Sequence, residues 1–359
     1  MDQYKELLKR VMVPENLRPN RTGVAAYKTA GEAMIFPDVT KAFPATTLKK
    51  LAFNPVKGET CGFLRALTNA ADFRALGCKV WDQNANEHGV TPNAWLSNPF
   101  RLGEDDVGPV YGKPWREWDG YKVLPNPTNM EEILRHKAIV EKIAADGWTL
   151  IGNTFHTADG VHEEGSISGE VWHRSIDQLG DCVRAIIKAP DGRRILFHGW
   201  DPALLDQVAL PSCHVLYHFL PDSYTKELNM VLYIRSNDLG LGAPFNMAEA
   251  ALFMHIVGRL TGYQPKKLAY FIGDAHIYEN QVEYLTELLS NEPKEAPTLW
   301  IDPRIPTYDP ADNVKFMDES GEAQIEHLIE WLELITPDDI KLVGYDPHLL
   351  STPVPKMVV

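Results

Sequence analysis

An α+β fold, with one large mixed β-sheet packed against helices, is predicted for this chain by three observations. Five segments carry apolar residues at helical spacing, five others read as extended, and the two kinds do not alternate as they would in a doubly wound sheet. The first helix spans 2–12, where Tyr4, Leu7, Leu8 and Val11 share a face. Residues 24–36 read as a strand, and 130–145 as a helix with Ile133, Leu134, Ile139, Val140 and Ile143 on one side. Strands follow at 195–199, 213–220 and 228–235. The last alternates Leu228, Met230, Leu232 and Ile234 against Asn229, Val231, Tyr233 and Arg235, which delivers a guanidinium to a sheet edge. Helices at 246–262 and 276–290, a strand at 298–302, and a helix at 321–335 built on Ile325, Leu328, Ile329 and Leu332 complete the order. No repeat, low-complexity tract or Ser/Gly linker divides the chain, so residues 1–359 read as one domain. Residues 119–175 read as an insertion, with a flap-like stretch from Gly152 to Ser175 rich in glycine, histidine and acidic residues.

Composition limits the function. The chain has 359 residues, 44% apolar and 23% charged, enough to bury a core without disulfide or metal staples. Its 35 Lys and Arg against 49 Asp and Glu give a net charge of −14, which disfavours broad nucleic-acid binding but leaves room for an arginine cluster that grips one small anion. No apolar run approaches the ~20 residues of a membrane span, and the polar start Met1-Asp2-Gln3-Tyr4-Lys5 is unlike a signal peptide, so a cytoplasmic protein is expected. Cys61, Cys78, Cys182 and Cys213 are widely spaced without a C-x-x-C pair and read as reduced thiols. No HExxH, Walker loop or GxGxxG signals a metal or a nucleoside triphosphate, so no metal is expected.

Several short stretches carry chemistry. In Leu210-Pro211-Ser212-Cys213-His214 a proline precedes an alternating strand, and a cysteine at a strand start can project into a cleft. A nearby cation turns such a thiol into a nucleophile, although free cysteines more often serve as packing. His214, adjacent on a strand, points to the opposite face, which disfavours a Cys-His hydrolase pair. The block Arg235 to Asn246 runs from a strand through a glycine-rich turn to a helix start, where Asn246 could be a plain N-cap. Arg193-Arg194 follow the turn Pro190-Asp191-Gly192, and are a solvated pair or a phosphate fork. His276 and Tyr278 read as half-buried residues at a helix start.

Taken in order, these stretches resemble the thymidylate synthase family. Asn20-Arg21-Thr22-Gly23 resembles its phosphate loop, Glu59-Thr60-Cys61-Gly62-Phe63-Leu64-Arg65 its glutamate helix, and Val80-Trp81-Asp82 its folate-stacking tryptophan. Gly108 to Lys113, Pro190 to Ile195, Cys213-His214, Arg235 to Asn246, Asp274 to Tyr278, Gly344 to His348 and the tail Lys356-Met357-Val358-Val359 follow in the family's sequence. Two positions depart: Asn84 stands where compact members carry a second tryptophan, and Ile234 where a glutamine is usual. The stretches Asn69 to Phe73, Ala94 to Leu96 and Gly103 to Asp106 resemble a longer bacterial branch, while 119–175 has no counterpart.

The resemblance implies a thymidylate synthase-like fold and assigns roles. Arg21, Arg193, Arg194 and Arg235, with Ser236, would bind the 5′-phosphate of dUMP, Arg193 and Arg194 reaching across a homodimer from the neighbouring subunit. Their positive charge beside Cys213 would favour the thiolate. His276 and Tyr278 would hold the ribose 3′-hydroxyl, and Asn246 would pair with uracil N3–H and O4. Cys213 would add to C6, making C5 nucleophilic toward the one-carbon unit of 5,10-methylenetetrahydrofolate. Trp81, Asp238, Leu241, Gly242, Phe245 and the tail ending in Val359 would hold that reduced folate. Tyr111 and Glu59 would move protons at C5, O4 and the folate. The implied products are dTMP and dihydrofolate. The alternatives are a dUMP hydroxymethylase, in which water captures the methylene, and a non-catalytic nucleotide-binding paralogue.

Overall fold

A helix at the start of the chain forms where Asp2 opens and Lys9 and Arg10 close a segment whose face of Tyr4, Leu7, Leu8 and Val11 is fully buried. This is α1 (Asp2–Val11). The computed structural model describes residues 2–87, 94–156 and 167–358, and the chain divides into two compact units, Glu117–Asp177 and the rest. Along the larger unit α1 is followed by β1 (Leu17–Arg18), β2 (Ala26–Phe36), α2 (Phe53–Leu64), α3 (Ala70–Ala75), α4 (Asp82–Asn86) and α5 (Gly112–Arg116). The smaller unit contributes β3 (Trp118–Pro125), α6 (Met130–Ala145), β4 (Thr149–His156) and β5 (Ile167–Ile176). The larger unit resumes with α7 (Gln178–Lys188), β6 (Leu196–His198), β7 (His214–Asp222), β8 (Glu227–Asp238), α8 (Gly242–Thr261) and β9 (Gln264–Tyr278). It ends with α9 (Val282–Ser290), β10 (Thr298–Ile301), α10 (Glu322–Leu334) and β11 (Ile340–Val343).

The main sheet has the order β1-β2-β9-β8-β7-β6, and β10 pairs with β11 in a small separate ribbon. Every neighbour in the main sheet is antiparallel except β8 and β9, which run parallel because α8 carries the chain back between them. The alternation read in 228–235 is real: Leu228, Met230, Leu232 and Ile234 are buried, while Tyr233 on the opposite face is 41% exposed. Helix α8 is buried on nearly all sides, as its Ala-, Leu-, Met- and Phe-rich sequence requires, and forms the centre of the core with α2 and α7. It ends at Gly262, whose φ of +76° is the left-handed cap that a side chain would strain.

Two expectations are corrected. Residues 276–290 are not one helix: 264–278 form strand β9, and α9 begins only at Val282. Strand β9 is paired on both sides, with β2 and β8, so its backbone is satisfied by partners distant in sequence that a local spacing rule does not register. Helix α8 begins four residues earlier than the predicted 246, because the Asp238 carboxylate accepts from the N–H groups of Gly240 at 2.9 Å and Leu241 at 3.1 Å and so closes the turn that launches it. In the smaller unit β3, β5 and β4 form a three-stranded antiparallel sheet around Ile143, Trp148 and Trp172, with Lys122 Nζ 4.1 Å over the Trp148 ring. Helix α6 spans the predicted 130–145 and is capped by Asn129. Among the described residues no helix is long and apolar enough to cross a membrane.

Candidate active site

Cys213 is half-buried, one residue before β7, and lines a cleft of about 270 Å³. Cys61, Cys78 and Cys182 are buried, and burial pushes the Cys61 thiol up to about 12. The β7–β8 pairing slips between His214 and Leu216, a bulge that ends regular pairing beside the thiol. The Cys213 carbonyl accepts from Arg235 N–H at 2.9 Å, and its own N–H donates to the Tyr111 hydroxyl at 2.9 Å. Arg235 donates to the carbonyls of Ser212 and Pro211, lies 5.2 Å over the Trp200 ring, and places Nη2 3.9 Å from the Cys213 sulfur. Of the four predicted arginines, Arg235 and Arg21 line the cleft. Arg193 and Arg194 are exposed in the turn between α7 and β6 and do not.

Tyr111 sits at φ +31° against Gly112, where a Cβ would stand 2.1 Å from the Phe63 carbonyl oxygen, so only glycine lets α5 approach α2 this closely. Burial, and then the neighbouring Cys213 charge, raise the Tyr111 phenol well above its ordinary value, so it keeps its proton at neutral pH. Glu59 comes from α2 and is 5% exposed. Burial pushes its carboxyl up to about 7, with Glu249 and the Trp81 indole pulling the other way.

Asn246 lies in the second turn of α8, so it is not the N-cap. Its orientation is set by a relay: Tyr270 Oη donates to Asn237 Oδ1 at 2.8 Å, and Asn237 Nδ2 donates to Asn246 Oδ1 at 2.9 Å. The Asn246 amide nitrogen is thereby turned to other partners. His214 also lines the cleft, buried beside Asn246, with Nδ1 2.8 Å from the Tyr217 hydroxyl; burial lowers it to about 3, and the ring is neutral. As strand geometry requires, His214 bonds away from the Cys213 sulfur.

His276 and Tyr278 stand at the end of β9, buried, their ring centroids 5.2 Å apart. His276 Nδ1 is 3.0 Å from Asp274, which Lys28 holds by an ion pair at 2.6 Å. Across the cleft Val80, Trp81, Leu241, Gly242, Phe245, Met357 and Val358 form a mostly apolar wall, with Ser236 and Asp238 at its polar side. Beyond closing the α8 turn, Asp238 accepts from Gln281 at 2.7 Å. The tail is strapped down on the way: Glu287 accepts from Ser351 and Thr352 N–H at 2.7 Å each, and Asn280 donates to the Lys356 carbonyl at 3.1 Å. Val358 then packs on Ala26 and Tyr278. Val359, named for the cofactor wall, lies outside the described residues.

Three cleft or relay residues escaped the sequence reading: Asn237, Tyr270 and Glu249. Asn237 sits inside the Arg235–Asn246 stretch, but the alternation that runs through Ile234 puts it on the polar face with Tyr233 and Arg235, so its burial has no local signal. Among the described residues no group of three or more His, Cys, Asp or Glu is placed to hold a metal ion.

The α+β fold thus brings a thiol, a guanidinium and an oriented amide into one cleft that also has an apolar wall, an arrangement suited to a small polar ligand. The sequence profile described as thymidylate synthase matches residues 2–355. The thymidylate synthase of Pseudomonas putida is 45% identical over 354 residues, 98% of each chain. That of Bordetella parapertussis is 44% identical over 97% of each chain, and a protein named thymidylate synthase 1/2 from Encephalitozoon cuniculi is 28% identical over 96% of this chain and 94% of its own. The chain belongs to the thymidylate synthase family.

Proposed function

We propose that this protein transfers a one-carbon unit from 5,10-methylenetetrahydrofolate to C5 of dUMP, giving dTMP and dihydrofolate. The carrying observation is the Cys213 sulfur 3.9 Å from the Arg235 guanidinium in a cleft shared with Asn246. Relatives named thymidylate synthase over nearly the whole chain support the same reaction and do not favour the hydroxymethylase alternative.

The wall of Val80, Trp81, Leu241, Phe245, Met357 and Val358 fits a flat heterocycle. These residues, with Gly242, Asp238 and the end of the tail, would hold the folate, which when bound supplies the one-carbon unit and the reducing hydride. Arg21, Arg235 and Ser236 bind the nucleotide phosphate, and His276 and Tyr278 hold the ribose. Asn246 reads uracil, donating to O4 and accepting from N3–H. Cys213 adds to C6. Tyr111 assists loss of the C5 proton through water, and Glu59 moves protons near O4. The closed apolar wall keeps bulk water from the reacting carbon.

A homodimer in the cytoplasm completes the proposal, with Arg193 and Arg194 added to the partner's phosphate site. In its favour, both arginines are exposed and outside their own cleft, and the outer sheet face carries Tyr233 paired beside Phe271, each 41% exposed, with Ile35 38% exposed.

The test is incubation with dUMP and methylenetetrahydrofolate, following dihydrofolate by absorbance and the pyrimidine product by mass spectrometry. Cys213→Ser is expected to bind dUMP and to lose turnover by at least about a thousandfold. A 5-hydroxymethyl product without dihydrofolate, or undiminished turnover in the serine variant, rejects the reading.

A further inference from the structure

Glu249 lies three residues after Asn246 on α8, so both side chains share the helix face that lines the cleft. It is 3% exposed, no charged donor bonds either carboxyl oxygen among the described residues, and the uncharged Asn246 amide is the neighbour that favours its ionised form. Helix α2 packs against α8, and the Glu59 and Glu249 carboxyls both line the cleft, each the neighbour that acts on the other's charge. Two ionised carboxylates cannot bond to each other, since both only accept. The contact is therefore a hydrogen bond only when one of the two carries a proton.

The surroundings supply no cation to hold two negative charges. On β7, His214 Nδ1 is 3.8 Å from Glu249 Oε2 but is engaged by Tyr217 and is neutral. Tyr217, Tyr270 and Tyr111 face the pair with protonated phenols, Cys78 with a protonated thiol raised by burial, and Asn246 and Trp81 are uncharged. No Lys or Arg among the described residues makes an ion pair with either carboxyl.

We propose that Glu249 is a positioning residue for Glu59: the two carboxyls share one proton, carried by Glu249 and donated to Glu59, so that Glu59 alone exchanges protons with the cleft. The assignment rests on the reading that Glu59 moves protons near O4. Like charges in a buried pair separate the two ionisations. The directions agree: burial and then the Glu59 charge raise Glu249 well above the usual carboxyl range, whereas the hydrogen bond from Glu249 opposes the rise of Glu59 to about 7. In each cycle Glu59 takes a proton from cleft water and returns it, while the Glu249 proton stays in place.

Glu249→Gln keeps an N–H donor toward Glu59, and Glu249→Met removes it at similar volume. The pH profile of kcat is expected to hold its Glu59 limb in the Gln variant. In the Met variant the limb should move about one unit alkaline, with kcat at pH 7 changed about tenfold and KM for dUMP within about twofold. A Met variant with the parent profile, or Gln and Met variants shifted alike, overturns the assignment. Infrared spectroscopy of the ligand-free chain above pH 8 provides a readout independent of turnover. A protonated-carboxyl carbonyl band present in the parent and lost in Glu249→Gln supports the shared proton; a band that persists overturns it whether or not the enzyme makes dTMP.

Discussion

Asn237 bears two buried hydrogen bonds, one from Tyr270 and one to Asn246, and it is 3% exposed. Replacing it by alanine strands the Asn246 carbonyl oxygen and the Tyr270 hydroxyl, and each unpaired buried group costs about 1–3 kcal/mol. Part of that cost falls on the orientation of Asn246. Asn237→Ala is expected to lower kcat/KM for dUMP about ten- to hundredfold in steady-state assays; a value within about twofold of the parent would show that the relay does not orient the base reader. Single residues also mark what the sequence made legible. Cys213, Arg235, Asn246 and Tyr111 could be picked out because they sit in short ordered stretches. Glu249 could not: a lone glutamate in a helix is ordinarily a solvated one, and only the opposing α2 makes it a buried one.

At the scale of elements, the cleft depends on a segment far from the thiol. Glu287 on α9 holds Ser351 and Thr352, and this contact, through hydrogen bonds from their backbone and side chains, pulls the Glu287 carboxyl down to about 2. The strap is therefore in place at any pH above the ordinary carboxyl range and lost only as pH falls through that low value. Glu287→Ala frees the chain that leads to Met357 and Val358. The expected result is a rise of about threefold or more in KM for the folate, read from initial rates at saturating dUMP. An unchanged folate KM would show that the tail closes without Glu287. Strand β8 was legible because one face is buried and one is not. Helix α2 was legible only through the resemblance, as the Glu59–Arg65 stretch, and not from spacing, because Gly58 and Gly62 dilute its helical pattern. They are there for packing: a Cβ at Gly62 would lie 2.3 Å from the Phe73 ring.

For the whole molecule, pH acts through groups buried in the core. Burial lowers His255 to about 4 and His214 to about 3, below the unfolded value near 6.5. Between those values the unfolded chain binds more protons, so this stability is complete above about pH 6.5 and is lost as pH falls toward 4. Glu59, raised to about 7, acts in the opposite sense over about pH 4.5 to 7, because there the folded state holds the extra proton. Glu249, likewise raised, adds to the Glu59 effect, so the test is a difference: from pH 6.5 to 4.5 the thermal midpoint of His255→Leu is expected to fall less, or rise more, than that of the parent, and an equal slope would remove His255 from the account. The sheet order and the parallel β8–β9 pair were not legible in local spacing, since strand order is decided by long-range pairing.

The cleft is lined from Arg21 near one end of the chain to Val358 near the other, with Glu59, Tyr111, Cys213 and Asn246 between. The lining is therefore complete only when segments far apart in sequence have folded together. Ligand that binds only the finished form then stabilises it by mass action.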